Sequence, residues 1–419
     1  MQHKLLENYA HILIVGTLIV AALWVRLYHF SNRITLSMEQ GMTLATTASY
    51  VYDKFSLLGM TNVQRVTHDG HMVLVNPLYN YLLIPPLLIT HGDPIAMTYV
   101  ALFTNIVTAA AIYWLSRKMK LSRRVSLFAT TFFLFNTVMI EQSLTLWIHN
   151  AVPLLGLVSL YLLYKEGKQD KWWIPLALGI LSGTGYAFEY LYLGTAIIVG
   201  LLTLIFTKKK WQALVLYGVG FLAPQLPVIA FDIRHDWYTL RTLWTYTLDT
   251  LHHPGQTRLN IYHFFQFIPA LCIAGGMLVD WVCKRWRLLG YTIVALYIVA
   301  NLGAKTVQWG TAQPKITAPD VLAMSAVVAA HVTGPYNIVY KPDSEYRAYV
   351  MRYILTYRLH KPPLGIEAYP SADTLFVVAV RGENLLINQP WEIAVLHAKK
   401  QTELTSVAGN EYALYELTK

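Results

Sequence analysis

Two carboxylates and one basic cluster are the side chains of this 419-residue chain best suited to chemistry. Glu39 lies in "ITLSMEQGMT", residues 34 to 43, just past the first long apolar run, and Glu141 lies near the end of another. The stretch "FDIRHDWYTLRTLW", residues 231 to 244, gathers Asp232, Arg234, His235, Asp236 and Arg241, and His252, His253 and Arg258 follow it. A carboxylate within hydrogen-bond reach of a hydroxyl can take its proton. Arginine grips phosphate oxygens through two N–H groups at once, and histidine can donate to the same group. The cluster therefore points to an anionic partner, with an Asp/Arg/His network that only fixes the loop as an equal alternative.

Each carboxylate also has a structural reading. Ser37 and Gln40 have the spacing of a capping box, which puts Glu39 in the first turn of a helix, where the dipole favours negative charge. Glu141 can equally be a carboxylate reaching from a helix end into water. "THDGH" carries His68, Asp69 and His71, but with no second motif to frame a metal it reads as a polar turn. "GTGYAF" lacks the strand and helix that a phosphate-cradling glycine loop requires. No cofactor is demanded by these residues and no metal ligand is assigned, though a divalent metal stays open.

The elements that must position these groups are apolar. The chain is 55% hydrophobic and 13% charged, whereas a soluble domain carries roughly 25% charged residues. Runs at 9–28, 95–115, 211–230, 262–282 and 288–304 approach or reach the roughly 20 residues needed to cross a bilayer, with shorter ones at 125–140 and 150–164 and room for two in 172–206. Trp24, Arg26 and Tyr28 replace a cleavage site after the first run, which is read as a retained anchor. Cys272 and Cys283 form no disulfide framework.

The net charge of +10 does not mean nucleic acid, because the basic residues cluster between apolar runs: Arg117 to Arg124, Lys165 to Lys171, Lys208 to Lys210 and Lys284 to Arg287. Such short basic loops belong on the cytoplasmic side. If all four do, the intervening spans must pair, and they do. The expected fold is therefore a mainly α, polytopic bundle of about nine spans in the cell (inner) membrane, N-terminus cytoplasmic. Residues 1–309 would form the membrane domain, with outer loops 31–94 and 231–261. The segment 76–92, interrupted by Pro85 and Pro86, is read as a re-entrant or interfacial helix. Gly183 and Gly185 are placed near an outer turn. Residues 38–55 alternate as a helix lying on the membrane surface, and Asp93 and Pro94 start another helix. Residues 310–419 read as a small extracytoplasmic α/β domain. Its strands are expected at "YNIVYK", "DTLFVVAV", "WEIAVL" and "YALYEL", with a helix over 344–359.

A first span, an outer loop whose acidic residue opens a helix, the "PLYNYLL…GDP" approach to the next span and "FDIRHDW" after a later one together resemble the GT-C glycosyltransferases. More narrowly, they resemble the bacterial family 39-like, dolichyl-phosphate-mannose mannosyltransferase-like membrane proteins. The resemblance extends through "GPYNIVY", "RYILTYRLHKPPLG", "ADTLFVVAV" and "PWEIAVL". It implies inverting transfer of a sugar from a polyprenyl-phosphate donor to a hydroxyl of a glycan, lipid or protein acceptor. Glu39 would be the base, Glu141 a second acidic candidate, and Arg234 and His235, with Asp232 and Arg241, would face the lipid phosphate. The chain departs from its relatives in having Glu39 where Asp is common and Met42 where a further acid stands.

Two other classes compete: a lipid or glycan transporter or flippase, which calls for paired repeats not found in the sequence, and a binding protein with a degenerate site. The enzymatic reading asks Glu39, Arg234 and the Glu141 turn to face one outer cavity.

Overall fold

Polar caps set the starts of the helices. The computed structural model describes residues 2–34, 36–252, 260–311, 316–342 and 346–419; His253 and Arg258 lie outside the described residues. Ser37 N donates to Gln40 Oε1 at 2.9 Å ahead of helix Met38–Tyr52, the reciprocal arm of the expected capping box. Asp93 accepts from Ala96 N at 2.8 Å, with Pro94 opening helix Pro94–Lys118 as expected. Ser122 and Asn136 cap Arg123–Leu134 and Thr137–Gln142 in the same way.

Among the described residues three helices, Pro94–Lys118, Lys210–Asp232 and Ile261–Arg285, are long and apolar enough to cross a membrane. Leu13–Leu27, Trp173–Phe188, Tyr192–Phe206 and Arg287–Gly303 are apolar but shorter. Helix Leu78–Ile89 has 12 residues and contains Pro85 and Pro86. At 1.5 Å per residue it rises only about 18 Å, well short of a bilayer core of about 30 Å. Helix Trp173–Phe188 runs through Gly183 to the link at Glu189, and a Cβ at Gly183 would come 2.2 Å from Phe221 O. Gly220 likewise sits against Leu176 O, so the two helices touch backbone to backbone, as small residues allow in membrane bundles.

Helix Met38–Tyr52 does not lie on a surface. It is sandwiched between Leu78–Ile89 and the C-terminal helix Tyr349–Tyr353, and Gln40, Thr43, Thr47 and Tyr50 of its polar face are buried. Those groups are hydrogen-bonded inside the protein instead of to water: Asn80 Nδ2 donates to Thr47 Oγ1 at 3.0 Å and to Thr43 O at 3.2 Å, and Tyr50 OH donates to Leu58 O.

Strands β1 (Thr61–Val66) and β2 (Met72–Leu74) form an antiparallel hairpin, and "THDGH" makes its turn, with Gly70 at φ +85°. Strands β3 (Tyr336–Tyr340), β4 (Thr374–Val380), β5 (Lys400–Val407) and β6 (Tyr412–Thr418) form one sheet in the order β3-β4-β6-β5, with β3 parallel to β4 and the other pairs antiparallel. The expected strand "WEIAVL" is a short helix, Trp391–Ala394, begun after Pro390. The edge strand is 400–407, whose mostly polar sequence hid it.

The C-terminal segment shares a hydrophobic core with the first loop: Leu44, Leu83, Met97, Met324, Met351 and Phe376 belong to one buried cluster. Tyr353 OH donates to Gly92 O at 2.6 Å, Tyr357 OH donates to Asp53 Oδ2 at 2.5 Å, and Arg358 pairs with Asp93 at 3.1 Å. The closest approach is at Gly41, where a Cβ would lie 2.5 Å from Val350 N. Gly41→Val must therefore push Tyr349–Tyr353 off the helix that carries Glu39. The expected loss is about 1–3 kcal/mol of stability, the usual cost of overpacking, read as a lower unfolding midpoint in detergent. Gly303→Ala, where a Cβ meets nothing within 4 Å, should leave the midpoint unchanged.

Candidate active site

Glu39 opens onto a cavity of about 300 Å³ whose carboxylate, guanidinium and imidazole groups come from five separate segments. Helix Met38–Tyr52 supplies Glu39 from its first turn, and strand β1 supplies Arg65. The single turn Ile148–Ala151, leading into helix Val152–Gln169, supplies His149. Glu189 stands in the tight link between Trp173–Phe188 and Tyr192–Phe206, and His263 in the turn Ile261–Phe267 that leads into Ile268–Arg285. Helix ends are where side chains from different elements can meet without interrupting a backbone ladder.

Glu189 is the hub. Its side chain is 8% exposed; Arg65 reaches Oε1 at 2.7 Å and His149 Nε2 lies 3.1 Å from Oε2. His263 Nδ1 is 3.9 Å from the same Oε2, and Leu191 N donates to Oε1 at 3.2 Å. Burial alone would raise the Glu189 pKa, but the hydrogen bond with His149 and the Arg65 charge hold it down to about 2. Arg65 is correspondingly pushed up: burial works against its charge, and the Glu189 carboxylate outweighs that effect. Both partners are therefore charged across the physiological range. Tyr190 lies under the guanidinium, 5.6 Å from ring centre to Cζ.

Glu39 is tuned the opposite way. Burial raises its pKa above the usual carboxylate range, partly opposed by nearby His149, by a hydrogen bond from Trp147 and by Arg65. Desolvation makes a carboxylate a stronger base. Aromatic rings fix the neighbours: Trp147 lies 4.3 Å from His149, and Tyr262 packs edge-on at 4.6 Å. The cavity thus joins an elevated carboxylate, a committed ion pair and two imidazoles. That set can accept a proton, and its guanidinium and imidazoles can donate to an oxyanion.

No family model matches the chain, and no curated protein sequence matches it. Among solved structures, ArnT from Cupriavidus metallidurans in the apo state matches with a TM-score of 0.61 and 8% identity, over 96% of this chain and 97% of that chain. The chain has the ArnT fold. ArnT bound to undecaprenyl phosphate matches with a TM-score of 0.51, also at 8% identity over 96% and 97% of the two chains. The archaeal oligosaccharyltransferase AglB from Archaeoglobus fulgidus, in complex with an inhibitory peptide and a dolichol-phosphate, gives a TM-score of 0.36 and 10% identity over 85% of this chain and 46% of that chain, too distant to argue from. The ArnT fold agrees with the expected mainly helical architecture.

Within this ArnT fold the residues singled out from sequence do not converge. Glu39 lines the cavity; Glu141 is exposed and does not. Arg234 and His235 are exposed, with His235 stacked on Phe231 at 3.9 Å and Nδ1 2.8 Å from Phe231 O. Asp232 is buried for a structural reason: it accepts from Thr239 N and Leu240 N at 2.8 and 3.1 Å, capping helix Tyr238–His252. Arg241 faces a second cavity with Asp69, His71 and Tyr238. "FDIRHDW" is a helix–turn–helix corner, its two left-handed residues Asp236 and Trp237 reversing the chain. "THDGH" docks on the same helix, His68 Nδ1 lying 3.0 Å from Asp249 Oδ1.

The partners of Glu39 are instead Arg65, His149, Glu189 and His263. His149, Glu189 and His263 each stand at the edge of an apolar run, in "LWIHN", "YAFEY" and "IYHFF", whereas Arg65 sits in the polar hairpin stretch "TNVQRVTHDGH". An isolated ionisable group next to a membrane segment is a stronger signal than a cluster in a loop.

Breaking the hub strands a buried charge, so Arg65→Met should cost about 3 kcal/mol. Arg234→Ala should cost less than about 0.5 kcal/mol. Because the folded pKa of Glu189 is below the ordinary carboxylate value of 4.5, its stabilisation is complete above pH 4.5 and is lost as pH falls toward 2. Unfolding midpoints across that window should fall steeply for the native protein and less steeply for Glu189→Gln.

Proposed function

We propose that this chain is an integral membrane glycosyltransferase that moves a sugar from a polyprenyl-phosphate donor to an acceptor hydroxyl on the outer face of the membrane, with inversion. The narrower family 39-like assignment belongs to the same proposal. So do the bundle of about nine spans, the cytoplasmic N-terminus, the division at 309/310 and the extracytoplasmic C-terminal α/β domain in the inner membrane. The observation that carries the reading is Glu39, a desolvated carboxylate with a raised pKa, in a cavity shared with Arg65, His149 and His263. Support also comes from the ArnT fold, one of whose solved structures holds undecaprenyl phosphate. The cavity-lining segments are, apart from His263 at the head of its helix, those that the charge parity assigns to the outer side.

Glu39 would accept the proton of the acceptor hydroxyl as its oxygen attacks the anomeric carbon. The C–O bond to phosphate breaks on the opposite face, and the lipid phosphate leaves with the electron pair. Arg65 would face that developing charge with the donors not committed to Glu189, and fixed cationic donors of this kind stabilise a leaving oxyanion. Glu189 would position Arg65 and His149 without touching the reacting atoms. This assignment moves the phosphate role from Arg234, His235, Asp232 and Arg241 to Arg65, and leaves Glu141 outside the chemistry.

The test incubates purified protein with polyprenyl-phosphate sugars and candidate acceptors and measures free polyprenyl phosphate. Glu39→Gln should lower release by about a hundredfold or more, and Glu141→Gln should stay within about twofold. A base must be ionised, so native turnover should fall as pH drops through a value above 4.5, and that limb should vanish in Glu39→Gln. Equal release by native protein and Glu39→Gln removes Glu39 from the mechanism.

A further inference from the structure

The charges around the cavity do not suit an anionic substrate as they stand. Glu39 and Glu189 carry two negative charges against the single positive charge of Arg65, and the remaining titratable lining is His149, His263 and tyrosines. A phosphodiester would add another negative charge to a site already net negative when Glu39 is ionised as a base. Some cationic group must complete it.

The geometry supplies a place. His149, Glu189 and His263 each direct one ligand atom into a common space, all within 4.8 Å of one another, and all three are buried. Among the described residues no other three His, Cys, Asp or Glu side chains meet this description. Two imidazole nitrogens and a carboxylate oxygen are a donor set for a borderline divalent ion, with metal–ligand distances of roughly 2.0–2.2 Å. An ion at such distances needs ligand atoms somewhat over 3 Å apart, close to the 3.1 Å and 3.9 Å that separate Glu189 Oε2 from the two imidazoles. Three protein ligands also leave a fourth position open, here toward the cavity. Arg65 on Oε1 then has the role of an outer partner that orients the ligating carboxylate.

We infer that His149, Glu189 and His263 form a binding site for one divalent transition-metal ion of the Zn²⁺, Co²⁺ or Mn²⁺ kind, open to the cavity. With the ion in place, the cavity carries net positive charge and matches a single phosphodiester anion. The ion's purpose in substrate binding rests on the transferase reading; its binding does not.

The test uses the full chain in nanodiscs, stripped with EDTA and titrated with Co²⁺ in the absence of any donor. Native protein should take up about one ion per chain, with the ligand-field absorption of nitrogen- and oxygen-bound Co²⁺. His149→Gln and His263→Gln should weaken binding by at least about tenfold while keeping native size-exclusion profiles. Glu39→Gln should bind as the native protein does, since it keeps all three ligands. Uptake no greater than that of His149→Gln overturns the site, and so does undiminished uptake by both histidine variants. The two readings fail separately. Protein that binds Co²⁺ through the histidines but transfers no sugar keeps the metal site and sinks the transferase. Protein that binds no ion yet transfers sugar does the reverse.

Discussion

A carboxylate that is almost fully buried and yet ionised is the constraint around which the cavity is built. Glu189 can hold its charge only because Arg65 and His149 reach it from other parts of the chain. Arg65 comes from the hairpin, His149 from the turn before Val152–Gln169, and His263 from the turn before Ile268–Arg285. Each must arrive within about an ångström for the charge to be compensated. The electrostatic requirement therefore ties together four segments that hydrophobic packing alone would leave free to slide. The same field acts on Glu39 with the opposite result. Being close to the hub without joining it, Glu39 is desolvated and kept basic, while Glu189 is desolvated and kept acidic.

The scaffold that makes this tolerable is stiff where it needs to be. Backbone contact at Gly183 and Gly220 locks Trp173–Phe188 against Lys210–Leu222, so the Glu189 link is presented from a fixed pair of helices. Trp147, tilted against His149, and Tyr262, edge-on to it, hold the imidazole ring orientation through packing. A site built on helix ends with rings wedged between them is more precise than one on a free loop.

Much of the architecture is legible in the residues, and the site is not. Apolar runs, the capping box at Ser37, the Asp93–Pro94 start, the shortness of 76–92 and three of the four C-terminal strands follow from periodicity and turn chemistry. The fourth strand escaped because Lys400–Val407 is an edge with little apolar content, while "WEIAVL" imitated a strand with its apolar run. Helix Met38–Tyr52 looked like a surface helix because Glu39, Thr43, Thr46, Tyr50 and Asp53 make one face polar; only the fold reveals that Thr43 and Tyr50 are buried, with Asn80 bonded to Thr43 O and Tyr50 to Leu58 O. The residues that join Glu39 in the cavity were missed for a different reason. "FDIRHDW" is dense in charge because its corner needs a carboxylate cap and two left-handed residues, which is local chemistry. His149, Glu189 and His263 are 40 and 74 positions apart along the chain, and nothing local links them.

The contact between Gly41 and Val350 also bears on how the molecule comes into being. The helix that carries Glu39 is made well before its packing partners Tyr349–Tyr353 and Tyr357, with 304 residues separating Asp53 from Tyr357. Early in synthesis the buried threonines and Gly41 have no cover on that side. The cavity can take its final form only after the C-terminal segment has emerged and folded back. A chain made only as far as the hub residues would hold them without a fixed Glu39, so the placing of that side chain waits on a segment far downstream in the sequence.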